Sequence, residues 1–176
     1  EDSETKVIAL AGNPNVGKST VFNGLTGLKQ HTGNWPGKTV SSARGFCRTR
    51  KHNLELVDIP GTYSLMAHSR EEEVARDFLE SGEADAAIVV CDATCLERNL
   101  NLALQIMEIC PKVVLCVNLM DEAEKRGIEI DIPLISERLG IPVVGITARK
   151  KSTLKALTDA VDNLLDTEKC QCCTVS

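Results

Sequence analysis

The sequence predicts an α/β domain: a six-stranded, mostly parallel sheet with one antiparallel edge strand and helices on both faces. Two observations carry this expectation. Short apolar runs of strand length alternate with segments of helical period, the pattern of β-α-β crossovers. One pair of strand-like runs, 39–50 and 54–57, is joined only by a tight turn near His52 and Asn53. That connection is too short for a crossover, so this pair must be antiparallel.

The elements follow in order. Residues 7–11 form the first strand, which runs into a glycine-rich turn. A helix over 19–27 places Val21, Phe22 and Leu25 on one face. Residues 28–38 have no period and contain Gly33, Pro36 and Gly37, so they read as a loop. The hairpin of 39–50 and 54–57 comes next, then an irregular stretch over 59–68. Ser69 starts a helix: Ser69 and Glu72 fit a capping box, and Glu71, Glu72 and Glu73 suit the positive end of the helix dipole. Val74, Phe78 and Leu79 form its inner stripe. Residues 86–91, 112–117 and 142–146 are the remaining strands. Leu96, Leu100, Ala103 and Met107 mark one intervening helix, and 132–139 another. Leu154, Leu157, Val161, Leu164 and Leu165 line the last. The domain is expected to span 1–166, with 167–176 a polar, cysteine-containing tail that is disordered or a linker.

Composition narrows the function classes. The 176 residues, 43% of them apolar, suffice for one core. A domain of this size buries roughly 70% of its unfolded surface. Aromatic residues make up 3%, too few for base-stacking platforms, and 20 basic against 25 acidic residues leave no general polyanion surface. No nucleic-acid partner is therefore expected. No apolar run approaches the roughly 20 residues of a spanning helix, and the polar, acidic start at 1–6 does not read as a signal peptide. Of eight cysteines, Cys91 and Cys116 sit inside apolar runs and Cys47, Cys95 and Cys110 are scattered, which predicts thiols in a reducing, cytosolic setting.

Residues Gly12, Asn13, Pro14, Asn15, Val16, Gly17, Lys18 and Ser19 match G-x-x-x-x-G-K-[ST] between a predicted strand and a predicted helix. The glycines let the backbone wrap around phosphate oxygens, and inward N–H groups with the helix N-terminus hold them. Lys18 would reach the β- and γ-phosphates, and Ser19 would offer a hydroxyl to Mg²⁺. Asp58, Ile59, Pro60 and Gly61 follow a strand; Asp58 would hold Mg²⁺ through water and the Gly61 N–H would meet the γ-phosphate. Thr39 would join the Mg²⁺ only when that phosphate is present, the basis of an order–disorder switch. Asn118, Leu119, Met120 and Asp121 follow another strand. Asp121 can accept from the N1–H and exocyclic amine of guanine, a pair adenine lacks, while Asn118 braces the loop. After the last strand, Thr147, Ala148 and Arg149 would bring a backbone N–H to the guanine O6.

These five segments stand in the order and spacing of a translation-factor-class GTPase, that is, a P-loop NTPase G domain. The run Gly33-Asn34-Trp35-Pro36-Gly37-Lys38-Thr39-Val40 resembles the first switch of the ferrous iron transport protein B family. Segments 58–65, 74–78 (Val-Ala-Arg-Asp-Phe) and 92–99 resemble it too, and the likeness covers about 6–165. The resemblance implies a GTP-hydrolysing switch at the cytoplasmic face of the inner membrane, coupled to Fe(II) uptake. It implies as partners the helical and transmembrane parts of the same transporter and small cytosolic accessory proteins. It adds Thr20, Gly37, Lys38 and Val40 to the nucleotide contacts, and assigns catalysis to Asn15, Lys18, Thr39 and Gly61. Related potassium-dependent GTPases further imply K⁺ at Asn15. Composition and spacing alone do not point to iron.

Departures from the GTPase pattern have consequences. Thr62 stands where Ras-like proteins carry the water-orienting Gln, as the resemblance also implies, so hydrolysis should be slow. Lys38 replaces a small apolar residue and either meets a phosphate or points into water. Leu119 replaces a lysine that packs along the nucleotide, which implies modest affinity and quick exchange. Trp35 is either a buried anchor or a mobile contact for the membrane part. Cys170, Cys172 and Cys173 either bind a soft metal or belong to a plain tail. Three other readings stay open at this level: an RNA-binding assembly GTPase, a nucleotide-gated module without hydrolysis, and an ATP-using P-loop enzyme.

Overall fold

Strands buried on both faces read as continuous apolar runs. That is why β1 (Lys6–Gly12), β5 (Ala86–Asp92) and β6 (Val113–Asn118) carry little but Val, Ile, Leu, Ala and Cys at their centres. The computed structural model describes residues 4–66 and 68–167. Among them are seven strands in the order β2-β3-β4-β1-β5-β6-β7, with β2 Gln30–Asn34, β3 Ser41–Arg48, β4 Asn53–Asp58 and β7 Val143–Gly145. β4, β1, β5, β6 and β7 are parallel. β3 runs against them beside β4, and β2 pairs antiparallel with β3. Among the described strands only β3 therefore runs against the others, and the edge strand β2 is held by antiparallel pairing with it.

Alternate residues feed two cores. Ile8, Leu10, Leu56, Ile88, Val114 and Cys116 pack with Val21 and Phe22 of α1 (Lys18–Thr26) and Leu154, Leu157 and Val161 of α6 (Lys151–Asp166). Ala9, Ala11, Val57, Val89 and Leu115 pack on the other face. There they meet Val74-side residues Ala75, Phe78 and Leu79 of α2 (Arg70–Glu80), and Leu102, Ala103 and Ile106 of α3 (Leu96–Ile109). α4 (Met120–Lys125) adds Ala123, and α5 (Ile132–Leu139) lends only half-buried residues beside β7.

The helix starts are locally determined. The Ser69 hydroxyl accepts from Glu72 N–H at 3.1 Å, as the capping box predicts. The Glu72 carboxylate reaches one residue further back than the pattern implies, to His68 N–H at 3.1 Å. At the far end of the domain, the buried Asp162 of α6 accepts from the Thr49 hydroxyl in the β3–β4 turn. Lys51 and His52 pair with Asp166 at 3.1 and 2.9 Å and hold its carboxyl below the usual range.

The strand count corrects the expectation of six. Residues 30–34, read as loop, form β2 by backbone pairing from Gln30–Gly45 to Asn34–Ser41. Its side chains are Gln, His, Thr, Gly and Asn, mostly exposed, so no apolar alternation betrays it. β3 is also shorter than 39–50, because Thr39 and Val40 precede the ladder. The short helix α4 lay outside the sequence reading as well; at six residues it carries no readable period. The tail cysteines Cys170, Cys172 and Cys173 lie outside the described residues.

Cys47, Cys91, Cys95, Cys110 and Cys116 are free thiols. Burial pushes Cys91 up to about 12 and Cys116 upward too, so both act as small apolar groups. Among these five, iodoacetamide should label exposed Cys95 in the native protein and Cys116 only in denaturant. Peptide mass spectrometry reads that order, and early labelling of Cys116 would contradict the packing. Leu157→Ala empties a fully buried site and should lower stability by about 2–5 kcal/mol in urea melts, since such cavities collapse only in part.

Candidate functional site

In a parallel sheet every strand ends on the same edge, and β1 is the point where the chain's crossovers switch direction. The loops after β1, β4, β6 and β7 therefore gather at one rim. The turn from β1 to α1 needs glycine twice. A Cβ on Gly12 would stand 2.7 Å from the Val90 carbonyl oxygen. Gly17 has φ +83° and a Cβ there would run into the Asn118 amide. Val16 between them is anchored in the core at 2% exposure, Asn13 is buried, Pro14 is half-buried and Asn15 is exposed in a left-handed conformation with φ +65°. Lys18 opens α1, and Ser19 and Thr20 are exposed in its first turn.

The segment after β4 is pinned to the end of β1. Ile59 N–H donates to Leu10 O at 3.1 Å, and Thr62 N–H to Gly12 O at 3.2 Å. Lys18 Nζ pairs with the Asp58 carboxylate and donates to Ile59 O at 2.9 Å. A cavity of about 540 Å³ opens here, lined by Lys18, Thr39, Val40, Asp58, Ile59, Pro60, Gly61 and Glu71. The phosphate-loop lysine, the Asp-x-x-Gly segment and the switch threonine thus meet in one space. Residues 12–17, Ser19 and Thr20 border the loop without lining that cavity.

The switch residues face α2. The Thr39 hydroxyl accepts from Arg70 Nη1 at 3.0 Å, and Lys38 Nζ pairs with Glu73 at 3.2 Å. Lys38 therefore neither points freely into water nor lines the phosphate cavity. Gly37 turns the loop with φ +70°. Trp35 packs edge-on against Phe78 at 5.4 Å and is half-buried, an anchor as sequence reasoning allowed.

On the other side of Gly17 lies the second half of the site. Asn118, 1% exposed, donates from Nδ2 to Val16 O at 3.0 Å and accepts at Oδ1 from Ala148 N–H at 3.0 Å. It ties the loop after β1 to the loop after β7. Leu119 adopts a left-handed conformation with φ +65°, and Met120 N–H donates to Ile146 O at 3.2 Å. This turn delivers Asp121 to the first turn of α4, where its Oδ2 pairs with Arg149 and its Oδ1 is buried without a partner among the described residues. Thr147 is held by Thr153, whose hydroxyl donates to its carbonyl at 2.9 Å.

Sequence reasoning missed Arg70 and Gln105. Gln105 Oε1 accepts from Leu65 N–H at 2.6 Å and tethers the segment after β4 to α3. Neither residue belongs to a local motif, so nothing in one sequence marks them. Glu71 read only as a helix-dipole acid; its place on the cavity wall comes from tertiary packing. No group of three or more His, Cys, Asp or Glu residues among the described residues could hold a metal. The donors at the cavity are the carboxylates of Asp58 and Glu71 and several hydroxyls, hard oxygens that fit Mg²⁺, which needs few protein ligands beside phosphate and water. Asp58 already attracts a cation, the Lys18 ammonium.

Comparison with known proteins agrees with this arrangement. A family model described as ferrous iron transport protein B matches residues 6–161. The Fe(2+) transporter FeoB of Salmonella typhimurium is 45% identical over 159 residues, covering 88% of this chain and 21% of the relative; FeoB of Escherichia coli K12 gives the same figures. The chain thus spans about a fifth of the length of these relatives. Among solved structures, the G domain of T. maritima FeoB superposes with a TM-score of 0.87 at 41% identity, covering 92% of this chain and 99% of that one. The cytosolic domain of T. maritima FeoB in a GDP form superposes at 0.90 with 40% identity, covering 96% and 66%. No helix among the described residues is long and apolar enough to cross a membrane. With the loops after β1, β4, β6 and β7 gathered on one rim, and the family model spanning nearly the whole described fold, this chain belongs to the ferrous iron transport protein B family and has the fold of its G domain.

Proposed function

We propose that this domain binds GTP and hydrolyses it, as a switch for a ferrous-iron transporter. The observation that supports this most is the convergence of Lys18, Asp58, Thr39 and Gly61 on one cavity, with Asp121 held beyond Asn118. The backbone of 12–17 curls with Gly17 and Asn15 both at positive φ, so successive N–H groups can face a bound polyphosphate. Nine residues of α1 add their dipole behind it.

Each residue then has a defined task. Lys18 moves from Asp58 to the β–γ bridge and neutralises charge there. The Gly61 N–H and Thr39 close on the γ-phosphate. Asp121 accepts the guanine edge, and the Thr147–Arg149 segment meets O6 through a backbone N–H. Mg²⁺, held by Asp58, Ser19 and Thr39, would supply electrostatic neutralisation of the phosphates. Thr62 is 5% exposed, with its N–H bonded to Gly12, so no side chain there orients water and hydrolysis is slow. Asn15 is exposed beside the phosphate loop and is the residue proposed to hold K⁺, at the place where an arginine finger would put charge.

GTP would draw 33–40 off α2 and order it with 59–68; hydrolysis would return both. In the whole transporter that change would pass to helical and membrane parts and accessory proteins at the cytoplasmic face. The domain boundary at 166, with 167–176 as a tail or linker, belongs to the same proposal.

Two measurements test this reading. Asp121→Ala removes both acceptors for guanine and should weaken GDP by about 100-fold, some 3 kcal/mol, in calorimetry. A variant that kept its guanine preference would favour an ATP-type enzyme. Single-turnover phosphate release should be measurable in K⁺ and slower in Na⁺. Equal rates would remove the ion from Asn15, and no release would leave a binding module without catalysis.

A further inference from the structure

The guanine pocket contains a contact that guanine must break. Asp121 is 14% exposed at its side chain, and its Oδ2 is taken by Nη2 of Arg149, whose own side chain is 61% exposed. Arg149 leaves the loop after β7 and reaches inward from solvent. The surrounding backbone does not need this pair for its shape. Asn118 carries it through Val16 and Ala148, Met120 N–H is fixed on Ile146, and Lys150 N–H closes the turn on Thr147 O at 2.8 Å. The Arg149–Asp121 contact is therefore added to a site already built.

Its chemistry is that of the ligand. An arginine side chain offers N–H donors in a planar fork. The N1–C2–N2 edge of guanine is itself a cyclic guanidine with the same kind of fork. We propose that Arg149 is a competing occupant of the base pocket, standing on Asp121 in place of the guanine edge, so that nucleotide binding and release are exchanges between two guanidine-like donors. This rests on the reading of Asp121 as the base acceptor.

The exchange has a direction. A carboxylate that loses both guanine donors would be left with none at either oxygen, in a place where Oδ1 is buried without a partner among the described residues even with Arg149 on Oδ2. Arg149 supplies one as the base leaves, which lowers the barrier to release. In the nucleotide-free protein the same contact must be undone before guanine binds, which weakens affinity. Arg149 therefore speeds dissociation and loosens binding, without altering which base is preferred once it has moved away. The pair is partly exposed, so the effect is about three- to tenfold.

The test uses fluorescent mant-GDP in stopped-flow displacement, with equilibrium titrations of GDP and inosine diphosphate, on wild type, Arg149→Ala and Arg149→Lys. Arg149→Ala should bind GDP about three- to tenfold more tightly and release it correspondingly more slowly. Inosine diphosphate lacks the 2-amino group, and its affinity should rise by the same factor, so the GDP-to-inosine ratio stays that of wild type. Arg149→Lys, a single point charge without the fork, should fall between. Affinity that is unchanged or weaker in Arg149→Ala would overturn the proposal, because it would make Arg149 a bystander or a clamp on the base. A changed ratio would overturn it as well, since Asp121 itself would then have moved. Wild type that distinguishes neither nucleotide would instead defeat the underlying assignment of Asp121.

Discussion

One buried side-chain amide holds the two halves of the site in register. Asn118 is almost fully enclosed, and its two polar atoms bridge the carbonyl of Val16 and the N–H of Ala148. Those groups belong to loops that follow different strands and have no backbone ladder between them. Without the amide each would be a buried polar group with no partner, at a cost of about 1–3 kcal/mol apiece. The same bridge fixes the loops after β1 and β7 relative to the turn after β6, the frame on which the proposed nucleotide site depends. Gly17 is part of this constraint, because any side chain there would collide with the Asn118 amide.

Around that fixed frame, the groups that would meet a nucleotide are satisfied internally. Lys18 rests on Asp58, Arg149 on Asp121, Lys38 on Glu73, and Thr39 under Arg70. Lys18 and Asp58 neutralise one another inside the cavity, while Lys38–Glu73 and Arg149–Asp121 are partly exposed pairs at its margins. Under the proposed function, each also opposes the ligand that would replace it. Binding in such a site is an exchange of partners, and its net affinity is a small difference between similar terms. Under the same proposal Leu119 would work in the same direction, since it would bring no cation alongside the nucleotide.

Much of this was legible in the residues. Gly12 to Ser19, Asp58 to Gly61 and Asn118 to Asp121 are contiguous motifs, each at a strand end, and local chemistry is the basis of the tasks proposed for them. The parallel centre of the sheet was readable from runs such as 86–91, since only strands covered on both faces are apolar at every position. β2 was not readable, because its stability comes from pairing with β3 and not from burial. Arg70 and Gln105 were invisible for a related reason: they act across 31 and 40 residues of chain, and no spacing rule reaches that far; the cavity-facing side of Glu71 likewise comes from packing.

Arg149 shows the division most clearly. Its sequence position marked it as part of a base-binding loop, and its backbone was the only part with a readable task. That its side chain crosses to Asp121, 28 residues away, follows from the one crossover, through α4 and α5, that brings β6 and β7 side by side. Sequence by itself determined the chemistry at each strand end and the α/β alternation, because both rest on residues adjacent along the chain. Tertiary structure alone decided which of those residues pair with one another, because that depends on distances between loops that only the packed sheet brings together.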